Sequence, residues 1–222
     1  YGDSDWPLVD TDGDGTDDTT VELSLTISYN KIFGTYDSSY GLIYAEDTQN
    51  VVITYNEMGG SYGYGIELYG YDEDFLMEPV LIAYNTIGYC YDEQIYMEYV
   101  SDVSILFNKM IGGYYYAIYI DGEDYGEGLI IKGNVITDTY DYAMEIYNFD
   151  APVVIEWNTI LRTGYGIELN NCENPQILYN TIMYQWDGYS LSLYGCADGG
   201  RVAHNTIAYN TGYGINLSTY ES

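Results

Sequence analysis

Ile105-Leu-Phe-Asn-Lys-Met110 returns one unit later as Ile131-Lys-Gly-Asn-Val-Ile136, and again as Ile155-Glu-Trp-Asn-Thr-Ile160. Three columns persist: an aliphatic residue, an Asn three places on, and a second aliphatic two places further. Working outward in both directions, the Asn column comprises Asn30, Asn56, Asn85, Asn108, Asn134, Asn158, Asn180 and Asn205, with separations of 26, 29, 23, 26, 24, 22 and 25 residues. The third residue before each Asn is Ile, or Val at Val202, and the second residue after is Ile or Met. Eight matches in three columns do not arise by chance. A second block follows in most units, as Tyr64-Gly-Ile-Glu-Leu68, Tyr142-Ala-Met-Glu-Ile146, Tyr165-Gly-Ile-Glu-Leu169 and Tyr213-Gly-Ile-Asn-Leu217. Its period of two marks strands with one face buried. A unit of this length without a helical stretch cannot bury that face alone, so copies must stack into an all-β solenoid of about eight coils.

The Asn column with its flanking aliphatics, spanning residues 21–217, resembles the repeat of right-handed parallel β-helices of the pectate-lyase-like superfamily. The resemblance implies a single-stranded, right-handed parallel β-helix solenoid. It also implies that the Asn side chains point inward and form a ladder, each amide donating to one neighbour and accepting from the other. It does not select a function, because lyases, hydrolases, epimerases and non-enzymes share the fold. The expected division is an acidic calcium-binding segment over 1–20 and the β-helix over 21–222.

Asp10-Thr-Asp-Gly-Asp-Gly-Thr-Asp-Asp18 resembles, over these nine residues, the calcium loops of dockerins, thrombospondin type 3 repeats and EF-hands. Asp10, Asp12 and Asp14 stand at alternate positions and can converge on one hard cation, with Gly15 allowing the sharp turn. Thr16 would add a backbone carbonyl, and Asp18 a direct or water-mediated ligand. Val21 stands where an EF-hand carries its bidentate Glu, which suits the shorter loops better. Calcium is therefore the expected cofactor, against the alternative of an acidic flexible linker. Asp121, Glu123, Asp124 and Glu127 in a longer excursion form a second candidate cation site, against the alternative of a solvated loop.

The charge narrows the partners. Asp and Glu number 35 against 5 Lys and Arg, a formal net charge of −30. Nucleic acid binding needs clustered Lys and Arg to displace counterions, so no nucleic acid partner is expected. Anionic membranes and polyuronates are disfavoured for the same reason. No apolar run approaches the ~18 residues that span a bilayer, so membrane insertion is not expected. The chain opens on Tyr1 without a signal segment, which reads as a processed or trimmed form of an extracellular or cell-surface protein.

Stacking makes equivalent positions neighbours. Cys172 and Cys196 each follow an equivalent Leu by three residues, so their thiols face one another as a disulfide or as a free pair. Lys31 falls beside Glu57 and Lys132 beside Glu156, which reads as surface ion pairs. Tyr40, Tyr64, Tyr116, Tyr142, Tyr165, Tyr189 and Tyr213 share a column that Glu93 interrupts. The reading these features favour is a non-enzymatic extracellular structural protein whose subunits associate head to tail into calcium-stabilised fibres. The alternative is a carbohydrate-active enzyme with Glu145 and Glu168 on adjacent coils, near the ~5 Å carboxylate spacing of retaining glycosidases, or a sugar-binding module using the tyrosine column.

Overall fold

The computed structural model describes residues 24–34, 40–71, 76–123, 126, 128–196 and 199–218. The chain winds through eight coils, and each coil contributes one short strand to each of three parallel sheets. The first sheet runs from Ser24–Ser28 to Arg201–Ala203, the second from Lys31–Phe33 to Thr206–Ala208, and the third from Ile43–Glu46 to Ile215–Ser218. The architecture is an all-β, right-handed parallel β-helix with no helix among the described residues.

The aliphatic columns of the repeat become the core. Ile53, Ile82, Ile105, Ile131, Ile155 and Ile177 pair in register along the first sheet, and every one of them is fully buried. Met58, Ile87, Met110, Ile136, Ile160 and Ile182 do the same on the second sheet. Leu68, Met97, Ile120, Ile146 and Leu169 fill the third side. Each such side chain contributes about 1.5–3 kcal/mol by leaving water. Because like sits above like, unequal coil lengths are absorbed in the turns without disturbing the stack.

At the corner between the first and second sheets the Asn side chains form one continuous ladder. Asn108 Nδ2 donates to Asn134 Oδ1 at 3.1 Å and to the Ile82 carbonyl at 2.8 Å, while the Asn108 backbone N–H also reaches Asn134 Oδ1 at 2.8 Å. The same pattern links Asn30 through Asn205. The residue before each Asn turns the corner in the left-handed region: Tyr29, Tyr55, Tyr84, Phe107, Trp157, Tyr179 and His204 all have φ between 54° and 60°. This conformation costs roughly 1–2 kcal/mol for a residue bearing a Cβ, and the ladder's hydrogen bonds and ring stacking offset it. Tyr29, Tyr55 and Tyr84 stack at 5.0 Å, and Trp157, Tyr179 and His204 at 4.5 and 4.8 Å. Gly133 (φ +67°) separates the two stacks. A Cβ there would lie 2.5 Å from Phe107 Cδ1, so glycine lets the Phe107 ring lean across its coil.

Candidate functional surface: the tyrosine–carboxylate face

Among the described residues, the outer face of the third sheet brings together a dense set of tyrosines and carboxylates. Its strands present two outward positions two residues apart, which lie on one side about 7 Å from each other. One outward column is Tyr44, Glu67, Tyr96, Tyr119, Glu145 and Glu168. Its neighbour is Glu46, Tyr69, Glu98, Asp121, Tyr147 and Asn170, so acid and phenol sit two residues apart on each strand from Ile43–Glu46 to Tyr142–Phe149. The pairs close on each other. The Tyr44 hydroxyl donates to Glu46 Oε2 at 2.7 Å, Tyr147 donates to Glu145 Oε1 at 2.6 Å, and Tyr96 donates to Glu98. Asn170 Nδ2 donates to Glu168 Oε1 at 3.3 Å.

The tyrosine column beside these strands leans over them. Tyr116, Tyr142 and Tyr165 stack at 5.5 and 4.3 Å, Tyr96 and Tyr119 at 5.1 Å, and Tyr64 tilts onto Tyr96 at 5.1 Å. These rings cover the carboxylates. Glu67 and Glu145 keep only 5% and 6% of their surface exposed, and Glu93, which interrupts the column, keeps 9%. Glu145 therefore does not occupy the open strand position that its place in the sequence repeat implies. It points outward from the sheet and is buried by rings from neighbouring columns, while Glu168 is half-buried. The pair stands in direct register on adjacent coils.

Burial sets the protonation of this face. The Glu93 carboxyl is pushed up to about 7 by loss of water, then by the nearby Asp92, Glu145 and Glu67 carboxylates. Burial also raises Glu145, against the hydrogen bond from Tyr147. It raises Glu67 too, against a 2.7 Å hydrogen bond from the Gly41 N–H. No basic side chain relieves the charge. Lys31 pairs with Glu57 at 2.7 Å, Lys132 with Glu156 at 2.7 Å and Arg162 with Asp138 at 2.6 Å, all away from the third sheet. Lys109 and Arg201 stand on the second and first sheets. Acid without countercharge beneath aromatic faces can hold cations, or sugar rings that stack on phenols and hydrogen-bond to carboxylates.

The other sequence-derived sites are distributed around this face. Asp10, Asp12, Asp14, Thr16 and Asp18 lie outside the described residues, as do Asp124 and Glu127. Asp121 Oδ1 accepts from the Glu123 N–H and from Asn148 Nδ2, both at 2.9 Å. Cys172 and Cys196 stand on adjacent coils as free thiols, and Cys90 is free and buried elsewhere. An open cavity of about 460 Å³ at the turn between the second and third sheets is walled by Tyr62, Tyr89, Tyr91 and Tyr114 over Gly60, Gly112 and Gly113. The repeat marked Glu93 only as a break in the tyrosine column and did not single out Tyr96, Tyr119 or Tyr147. Their signal was the Tyr-x-Glu and Glu-x-Tyr spacing, read in register across coils.

No curated protein and no solved structure matches the chain. The family model described as right handed beta helix region matches residues 15–151 and again 82–222, and the chain belongs to that family.

Proposed function

We propose that this protein is a non-enzymatic, extracellular structural protein whose copies continue one another's solenoid head to tail, with calcium offsetting the repulsion between acidic subunits. The observation that carries the reading is the complementarity of the two ends of the asparagine ladder. Each Asn from Asn30 to Asn180 donates its backbone N–H and amide to the Oδ1 of the next coil, so among the described residues the ladder finishes at Asn205, whose amide also donates to the Ile177 carbonyl, with donors and begins at Asn30 with an acceptor. A second copy placed one rung beyond the eighth coil would bring its own Asn30 Oδ1 to those donors. The apolar stack is open in the same places. Leu217 is 68% exposed and Ile215 48%, although Leu193 and Leu191 below them are buried. The first coil mirrors this, with Ile27 and Ile32 half-buried over the fully buried Ile53 and Met58.

Among the described residues the strands of the first and eighth coils have a neighbour on one side only, and such edges with apolar side chains favour pairing with another chain. Against it stands a charge of −30 on each copy, which divalent cations in an extracellular setting would screen. The Asp10–Asp18 loop precedes the first coil in sequence and would supply the calcium ligands at the junction. Sedimentation velocity in millimolar calcium should show a ladder of oligomers, and Leu217→Lys should return the protein to a monomer. A clean monomer of the unmodified protein would overturn the reading.

A second reading rests on the stacked Glu145 and Glu168: a carbohydrate-active or sugar-binding face, with Glu145, raised by burial, as the acid and Glu168 as the second carboxyl on the adjacent coil. Reducing-sugar release from a panel of neutral polysaccharides, lost in Glu168→Gln, would support it. Neither release nor binding across the panel would reject it.

A further inference from the structure

Two thiols where the strands of the third sheet end, Cys172 as the last residue of Tyr165–Cys172 and Cys196 two residues beyond Leu191–Tyr194, are related by the repeat itself. Asn170 and Tyr194 are the last register partners of their strands, and Cys172 and Cys196 each lie two residues beyond. The intervening residues, Asn171 (φ 55°) and Gly195 (φ 61°), turn the same way. Cys172 Sγ contacts the Ile146 and Asn170 carbonyls at 3.7 and 3.3 Å. Cys196 Sγ contacts the Leu169 and Tyr194 carbonyls at 3.5 and 3.6 Å, the equivalent pair one coil on. The sulfurs are thus superposed by one step along the solenoid. Neighbouring strands lie about 4.8 Å apart, inside the roughly 4.4–6.8 Å Cα separation that a disulfide accepts.

The two thiols are not alike. Cys172 is buried, with 1% of its surface exposed, while Cys196 is partly open to solvent. The neighbouring Cys172 thiol holds the Cys196 thiol below its ordinary range, at about 7. The same contact, with burial, pushes Cys172 up. A partly open, more acidic thiol beside a buried one divides naturally into an attacking and a resolving sulfur.

We propose that Cys196 and Cys172 form a redox-active dithiol that low-molecular-weight disulfides oxidise to a staple between the sixth and seventh coils. The Cys196 thiolate attacks one sulfur of the oxidant, forming a mixed disulfide and releasing one small thiolate. Cys172 then attacks Cys196 Sγ, its proton leaves with the second small thiolate, and the Cys172–Cys196 bond closes. The protein dithiol loses two protons and two electrons, and the oxidant takes them up to become two thiols. The staple sits just before the coil whose core is most exposed, where opening of the stack costs least. Closing it raises Tm by roughly 5–10 °C.

The test is treatment of the reduced protein with oxidised glutathione at pH 7.5, followed by non-reducing peptide mass spectrometry. The expected product is a Cys172–Cys196 linked peptide two hydrogens lighter, with no lasting glutathione adduct. Cys172→Ser should trap glutathione on Cys196, and Cys196→Ser should take up none at position 172. Wild-type protein that keeps glutathione on Cys196, or keeps both thiols free, would overturn the proposal. The wild-type peptide map is sufficient if Cys172→Ser does not fold.

Discussion

Replacing Asn108 with Leu removes one interior rung of the ladder and nothing else of comparable size. In the folded protein Asn108 is 1% exposed. Its Oδ1 accepts the Asn85 backbone N–H at 2.8 Å and Asn85 Nδ2 at 3.1 Å, and its Nδ2 serves Asn134 Oδ1 and the Ile82 carbonyl. After substitution Asn134 Oδ1 keeps the Asn108 backbone N–H, and Asn85 Nδ2 keeps the Ile53 and Ala83 carbonyls. The buried Asn85 N–H loses its acceptor and the Ile82 carbonyl loses a side-chain donor. A buried unsatisfied group costs about 1–3 kcal/mol, so the stranded Asn85 N–H together with the lost side-chain bond to the Ile82 carbonyl gives about 2–4 kcal/mol. Urea denaturation followed by circular dichroism should show the midpoint falling by that energy divided by an unchanged slope. Asn30→Leu is the internal comparison. It stands at the open end of the ladder and is exposed, so it should cost well under ~1 kcal/mol. A loss at position 108 no larger than that at position 30 would refute the claim that the ladder's interior carries stability.

Other outcomes follow from the same geometry. Glu93 titrates near 7 in the fold against an ordinary value of 4.5, so the folded state holds a proton that the unfolded chain has lost. Its contribution, on the order of 3 kcal/mol, is full below pH 4.5 and disappears as pH rises through 7. Tm should therefore fall between pH 5 and 8, and Glu93→Gln should flatten that slope; an unchanged slope would show that other groups control it. Gly166→Ala would place a Cβ 1.9 Å from the Ser190 carbonyl oxygen, which accepts the Ile167 N–H. The clash is with a backbone rung that cannot step aside, so a loss above ~3 kcal/mol is expected in a chemical denaturation curve. Calcium bound only by the folded chain should raise Tm by mass action, about 2.7 kcal/mol at a hundredfold excess over Kd. Chelation should reverse this, and Asp12→Ala with Asp14→Ala should make the melt indifferent to chelator.

The fold was legible because its determinants repeat. One Asn and two aliphatic positions recur in eight units, and such a pattern has one economical explanation, a stack in which each position meets its own copy. The tyrosine–carboxylate face was only half legible. Glu145 and Glu168 could be placed on adjacent coils from the Tyr-x-Ile-Glu type block. Their burial could not, because the covering rings, Tyr116 and Tyr142 above all, belong to a neighbouring column and lean by amounts that no periodicity encodes. Glu93 shows the same limit. As a break in a tyrosine column it reads as an exception, whereas in the fold the surrounding phenols bury it and move its protonation into the neutral range. The left-handed turn at Tyr29 and its equivalents was also hidden, since aromatic residues seldom adopt that conformation. Gly133, alone in that column without a side chain, was its one written trace.

End-to-end continuation of the solenoid can be seen directly by negative-stain electron microscopy in millimolar calcium. Eight coils at about 4.8 Å each give one subunit a length near 38 Å. The account predicts unbranched rods of constant width whose lengths cluster at multiples of that value, and which shorten to single units in Leu217→Lys. A uniform field of single units from the unmodified protein in calcium would contradict it.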